Sequence, residues 1–98
     1  MYNDVLEFAK RINNGRTVQD VFLHLTSEVG ELSDEIAVKY GIIDGEPGKD
    51  GIFGEAVDII AAALDLIYVD NPDITEEDVL EYLHTKLQKW ESKACQGQ

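Results

Sequence analysis

TVQDVFLHLTSEVGELSDEIAVKY, residues 17–40, decides the fold. Its apolar residues Val18, Phe22, Leu25, Val29, Leu32 and Ile36 recur in alternating steps of four and three. That is the period of an α-helix with one apolar face. Two carboxylates interrupt it: Glu28 and Glu31 are three residues apart, so they leave the helix from the same side. At 3.6 residues per turn, Glu28, Glu31 and Glu35 fall within about 60° of one another, beside the apolar stripe and not opposite it. A face that merely solvates the helix belongs on the far side.

Outward from this helix the chain reads as three more, with no convincing strand. A first helix spans about Tyr2 to Ile12 and stops at Asn13-Asn14-Gly15. After Tyr40, the stretch Gly41-Ile42-Ile43-Asp44-Gly45-Glu46-Pro47-Gly48-Lys49-Asp50-Gly51 is a loop, dense in glycine with one proline. A third helix runs from about Ile52 to Val69 and ends at Asp70-Asn71-Pro72-Asp73. A fourth opens on Thr75 as N-cap, with Glu76, Glu77 and Asp78 favourably placed in its first turn, and runs to about Lys93. The expected fold is all-α, a four-helix-bundle-like single domain over residues 1–98, in which the two central helices carry the acids.

The third helix is apolar nearly all round. Phe53, Val57, Ile60, Leu64 and Ile67 cover one side, and Ile59, Ala63 and Leu66 much of another. Such a helix is expected to be buried centrally. Glu55, Asp58 and Asp65 share the narrow face that remains, with Ala62 between them. A carboxylate in apolar surroundings needs a compensating cation or donor. An isolated Glu-x-x-Glu on a helix is ordinarily a surface feature. Two acidic pairs, Glu28/Glu31 and Glu55/Asp58, one of them on an otherwise apolar helix, point instead to a hard divalent cation held by oxygen. Asp65 reads either as a fifth oxygen donor or as a helix–helix hydrogen-bond partner; Asp34 and Glu35 are weaker candidates.

Bulk properties narrow the function. Twenty acidic residues against eight basic ones leave a formal charge of -12 on 98 residues. Nucleic-acid backbones require a basic surface, and so do anionic membranes, so neither is expected as a partner. At 44% apolar and 29% charged the composition is globular. Cys95 is the single cysteine, which leaves no internal disulfide and no cysteine-rich zinc site. The opening Met1-Tyr2-Asn3-Asp4 lacks the basic-then-apolar pattern of a secretory leader, and the run Ile59 to Val69 is broken by Asp65 and too short for a bilayer. A cytoplasmic protein is the expectation.

Ser27-Glu28-Val29-Gly30-Glu31 followed by Glu55-Ala56-Val57-Asp58 resembles the signature of the MazG-like, all-α nucleoside triphosphate pyrophosphohydrolases: Glu-Glu-x-x-Glu on one helix and Glu-x-x-Asp on the next. The resemblance covers roughly Val21 to Tyr68, the flanking helices matching in length and order only. Ser27 stands where the pattern has its first glutamate, which puts in doubt any role of that acid. The resemblance implies that Glu28, Glu31, Glu55 and Asp58 bind Mg²⁺, with Mn²⁺ as the alternative. It further implies cleavage between the α- and β-phosphates of a (d)NTP to a nucleoside monophosphate and pyrophosphate. Glu28 or Glu31 is then the catalytic carboxylate that orients or deprotonates water. A homodimer or dimer of dimers agrees with the resemblance and with the apolar excess of so short a chain.

A triphosphate also needs cationic contacts. Lys86 and Lys89 share one face near the end of the fourth helix, as substrate contacts or as ordinary complements of the helix dipole. Lys39 and Lys49 flank the loop and are weaker. Trp90 offers a surface for stacking on a base, or a core anchor; Tyr40 and Tyr68 carry the same ambiguity. His24, one turn before Glu28, is expected to be buried and hydrogen-bonded, a position on the nucleotide pocket being the other reading; His84 is structural or exposed. The rival functions are an acidic interaction module such as a DNA mimic, and a phosphoribosyl-ATP pyrophosphatase-like enzyme. A di-iron bundle is disfavoured, because neither histidine lies three residues after a glutamate.

Overall fold

Four helices account for most of the described residues, 1–12 and 15–96, in the computed structural model. They are α1 (Tyr2–Ile12), α2 (Val18–Lys39), α3 (Gly51–Asp70) and α4 (Glu76–Gln96). No strand occurs among the described residues. The expected stop of the first helix at Asn13-Asn14 lies outside them.

Local chemistry sets the helix ends. Thr17 is extended, its Oγ1 accepts from the Asp20 backbone N–H at 3.1 Å, and the Thr17 N–H donates back to Asp20 Oδ2 at 2.9 Å. Thr75 and Asp78 repeat the arrangement at the head of α4, at 3.2 and 3.0 Å. Each reciprocal pair satisfies two N–H groups that a helix start would otherwise leave open. The backbone N–H of Thr17 holds the Asp20 carboxyl below its ordinary range, and that of Thr75 does the same for Asp78. At the far end of α2, the Gly41 N–H donates to the Val38 carbonyl at 3.2 Å and the Ile42 N–H to the Ala37 carbonyl at 2.8 Å. This closure requires a left-handed residue, and Gly41 has φ +72°.

α2 and α3 form the main packed pair. Arg16 meets Asp65, Glu28 meets Glu55, and Glu35 meets Gly48, so the partner number falls as the α2 number rises and the two helices are antiparallel. α1 lies against α3, and α4 makes close backbone approach to α1 alone. One tie between those two helices is Asn3 Nδ2 donating to Glu76 Oε2 at 2.8 Å.

The buried apolar set is small: Tyr2, Ala9, Val21, Ala62 and Leu64. The expectation that α3 is enclosed on all sides holds in part only. Ala62 and Leu64 are buried, but on the same stripe as Leu64 the earlier residues Val57 and Ile60 are exposed and Phe53 is 82% exposed. On α2 the stripe that should face a core leaves Phe22, Val29 and Ile36 exposed. The molecule is a slab of 44 × 43 × 21 Å with a radius of gyration of 16.3 Å, against about 13 Å for a compact chain of this length. Its accessible surface is 7447 Å², where a compact monomer of 10.9 kDa would expose about 5600 Å². No helix among the described residues is long and apolar enough to cross a membrane.

Candidate metal centre

Antiparallel packing brings the two acidic pairs face to face. Glu28, Glu31 and Glu55 each present a carboxylate oxygen, and the three oxygens lie within 4.8 Å of one another. Glu28 is 9% exposed, Glu55 is half-buried, and Glu31 stands at the rim. Glu28 Oε2 and Glu55 Oε2 are both buried and have no hydrogen-bond partner among the described residues. Among the described residues no lysine or arginine is paired with any of the three.

Their protonation reflects that crowding. Burial raises the Glu55 carboxyl most, followed by the hydrogen bond and charge of Glu31 and the charges of Asp58 and Glu28; together they push it up to about 7. Burial also raises Glu28, with Glu31 and Asp58 adding to it and His24 opposing. Carboxylates lifted in this way lack positive charge. Hard oxygen donors, buried lone pairs without partners and no lysine or arginine beside them form a set that could hold a metal ion.

Asp58 stands next to this trio and outside its tight group. Its charge reaches both Glu28 and Glu55, and it lines, with Glu28, a cleft of about 680 Å³ between α1 and the α2–α3 pair. His24 is a correction to the expectation of a buried imidazole. It is exposed, lines the same cleft, and holds Nε2 3.5 Å from Glu28 Oε1. A residue one turn ahead of an acid on a helix shares its face whether or not that face is covered.

Two further acids are engaged elsewhere. Glu35 Oε1 accepts from the Gly48 N–H at 2.6 Å and so ties the 41–50 loop to α2. A Cβ at Gly48 would collide with that carboxylate. Asp65, read as a further metal donor or as a hydrogen-bond partner, takes the second role: its Oδ2 accepts from Arg16 Nη1, and both side chains are largely buried.

Lys86, Lys89 and Trp90 are not brought to the acids within this chain. All three are exposed on α4, which has no close backbone approach to α2 or α3, and Lys86 leans 5.1 Å over the Tyr82 ring of its own helix. Arg16, Phe8 and Ala61 are cleft residues that motif reading passed over. The available signal was the stripe Asp58, Ala61, Ala62, Asp65 on α3, in which two minimal side chains separate two acids on one face.

No family model matches this chain, and no curated protein or solved structure matches it.

Proposed function

We propose that this chain is a metal-dependent nucleoside triphosphate pyrophosphohydrolase of the MazG-like kind, which hydrolyses a (d)NTP to the monophosphate and pyrophosphate. The observation that carries this reading is the trio Glu28, Glu31 and Glu55, with oxygens within 4.8 Å and two buried lone pairs left without partners. Such a set is costly to maintain unless a cation compensates it. Glu28, Glu31, Glu55 and Asp58 would hold the ion, Mg²⁺ or Mn²⁺. When bound, it supplies Lewis-acid stabilisation of the negative charge on phosphate oxygens.

The protein's own part is to place and deprotonate water. Glu28, the most buried of the three, orients it; Glu31, at the rim, is the alternative for this role. The water oxygen forms a bond to phosphorus, its proton passes to the carboxylate, and the bond between the α- and β-phosphates breaks with its electron pair leaving on pyrophosphate. The raised Glu28 carboxyl suits a proton acceptor better than a fully exposed glutamate would.

The working unit in this proposal is a homodimer or a pair of dimers. The excess of accessible surface over that of a compact monomer exceeds the roughly 800 Å² that each partner buries in a standard interface. The exposed apolar residues on α2, α3 and α4 supply the chemistry of such an interface. Pairing also gives Lys86, Lys89 and Trp90 a route to the phosphates, from one copy's α4 to the acids of the other.

The test is product identification after incubation with standard and modified (d)NTPs, in Mg²⁺ and in chelator, with Asp58→Asn alongside. Metal-dependent monophosphate and pyrophosphate, lost in the variant, is the expected result. Absence of turnover together with no metal-dependent rise in melting temperature would sink the reading. The acidic interaction module, favoured by the charge of -12, would then take its place.

A further inference from the structure

α2 sorts its charges to one side. At about 100° per residue all six of them, from Asp20 to Lys39, fall within an arc of about 140°. Opposite that arc run two rows without charge. One is an apolar ridge, Phe22, Val29 and Ile36, seven residues apart and 52%, 49% and 38% exposed. Beside it lies a shallow row, Thr26, Gly30 and Ser33, also exposed. A helix side that faces water carries charged and polar groups; this one, in a chain of net charge -12, carries no charge. α3 does not cover it, because α3 packs on the side that holds Glu28.

Gly30 stands in the middle of the shallow row. Glycine in a helix interior is destabilising relative to alanine. A Cβ there would meet no other part of the described chain within 4 Å, so packing within one copy does not call for a glycine. A missing side chain on an open, charge-free face admits the close approach of another backbone.

We propose that this face of α2 pairs with the same face of a second copy. Two chains of charge -12 repel, and they close on each other most readily where neither presents charge. The face is also self-complementary. A two-fold axis running along the paired helices sets the ridge of each copy opposite the shallow row of the other, an isologous contact of ridge into groove. A basic partner would be drawn instead to the acidic arc. Glu28 and Glu31 lie on that arc, so the pairing leaves the acid cluster open. Phe53, Val57 and Ile60 lie on the side of α3 away from Glu55 and form a separate face. The surface exposed beyond that of a compact monomer is more than twice what one partner buries in a standard interface, enough for both faces. The proposal rests on the self-association in the reading above and is independent of its chemistry.

Sedimentation of the full chain over a range of concentrations, with helix content followed by circular dichroism, tests the face. Ser33→Glu puts a charge into the shallow row and should raise the dissociation constant about a hundredfold with helix content unchanged. Gly30→Leu should weaken pairing through size, and as a better helix former at an open position it keeps the single chain folded. Either variant combined with Phe53→Asp, which acts on the other face, should leave monomer alone.

A parent chain that is monomeric at every concentration would overturn the proposal. Association that survives both single variants would also overturn it, while leaving self-association through another face standing. Pairing lost in the variants, in a parent that hydrolyses no nucleotide, would uphold this face and remove the pyrophosphohydrolase reading.

Discussion

Glu55 is the residue whose protonation most directly reports on the acid cluster. In the unfolded chain it titrates near its ordinary 4.5, and in the fold near 7. The folded state therefore holds this proton more tightly, and the stability that goes with it is fully present below about 4.5 and lost as pH rises to about 7. Glu28 is shifted in the same direction. Metal-free Glu55→Gln should thus melt above the parent chain at pH 8 and level with it at pH 4. Under the proposed metal site, saturating Mg²⁺ should reverse the order at pH 8, because the variant would lack one of the ligands. A metal-free parent that melts higher than the variant at pH 8 would show the carboxylates to be compensated by something else. Arg16 makes a second test at this scale. Arg16→Ala leaves both oxygens of a largely buried Asp65 without a partner, and should cost about 2 kcal/mol in urea unfolding.

Helices and their ends were legible in the sequence because their determinants are local. Thr17, Thr75 and the glycine-rich loop set the bounds of α2 and α4 within a few residues, since capping needs only a side chain and its own neighbouring backbone. Gly41→Ala should cost about 1 kcal/mol in the same unfolding experiment, because the closure of α2 places this residue at positive φ. The meeting of Glu28, Glu31 and Glu55 was also legible, from two spacings on two helices that must pack. What spacing could not give was the cleft beside them. Arg16 and Asp65 are 49 residues apart, and α1 had to be laid against α3 before Phe8 and Ala61 lined one cleft. His24 failed for a related reason, because helical phase says which side a residue is on and not whether anything covers it.

For the whole molecule the decisive observation is how little of it is enclosed. Among the described residues the buried apolar set is five, while Phe22, Val29, Phe53, Val57 and Ile60 remain open. Sedimentation should find a dimer or larger species, with a melting temperature that rises with protein concentration. Phe53→Asp should shift the population toward monomer and remove that dependence, while a monomer of unchanged stability in the parent chain would refute self-association. The apolar excess of α3 was readable in advance; the part of it left open was not, because a single helix pattern does not say which neighbour, from its own chain or another, will cover a given stretch of a face.

α4 makes this measurable residue by residue. Thr75, Asp78 and Glu76 pin its first turn, and every side chain from Leu80 to Cys95 is exposed. A solitary helix of this length is marginal in water, so in dilute protein its amides should trade for deuterium in a gradient, slowest near Val79 and fastest toward Cys95. Raising the concentration should slow that exchange along the stretch a second copy covers. The last helix would then act as a built-in footprint, its protection pattern outlining the interface amide by amide.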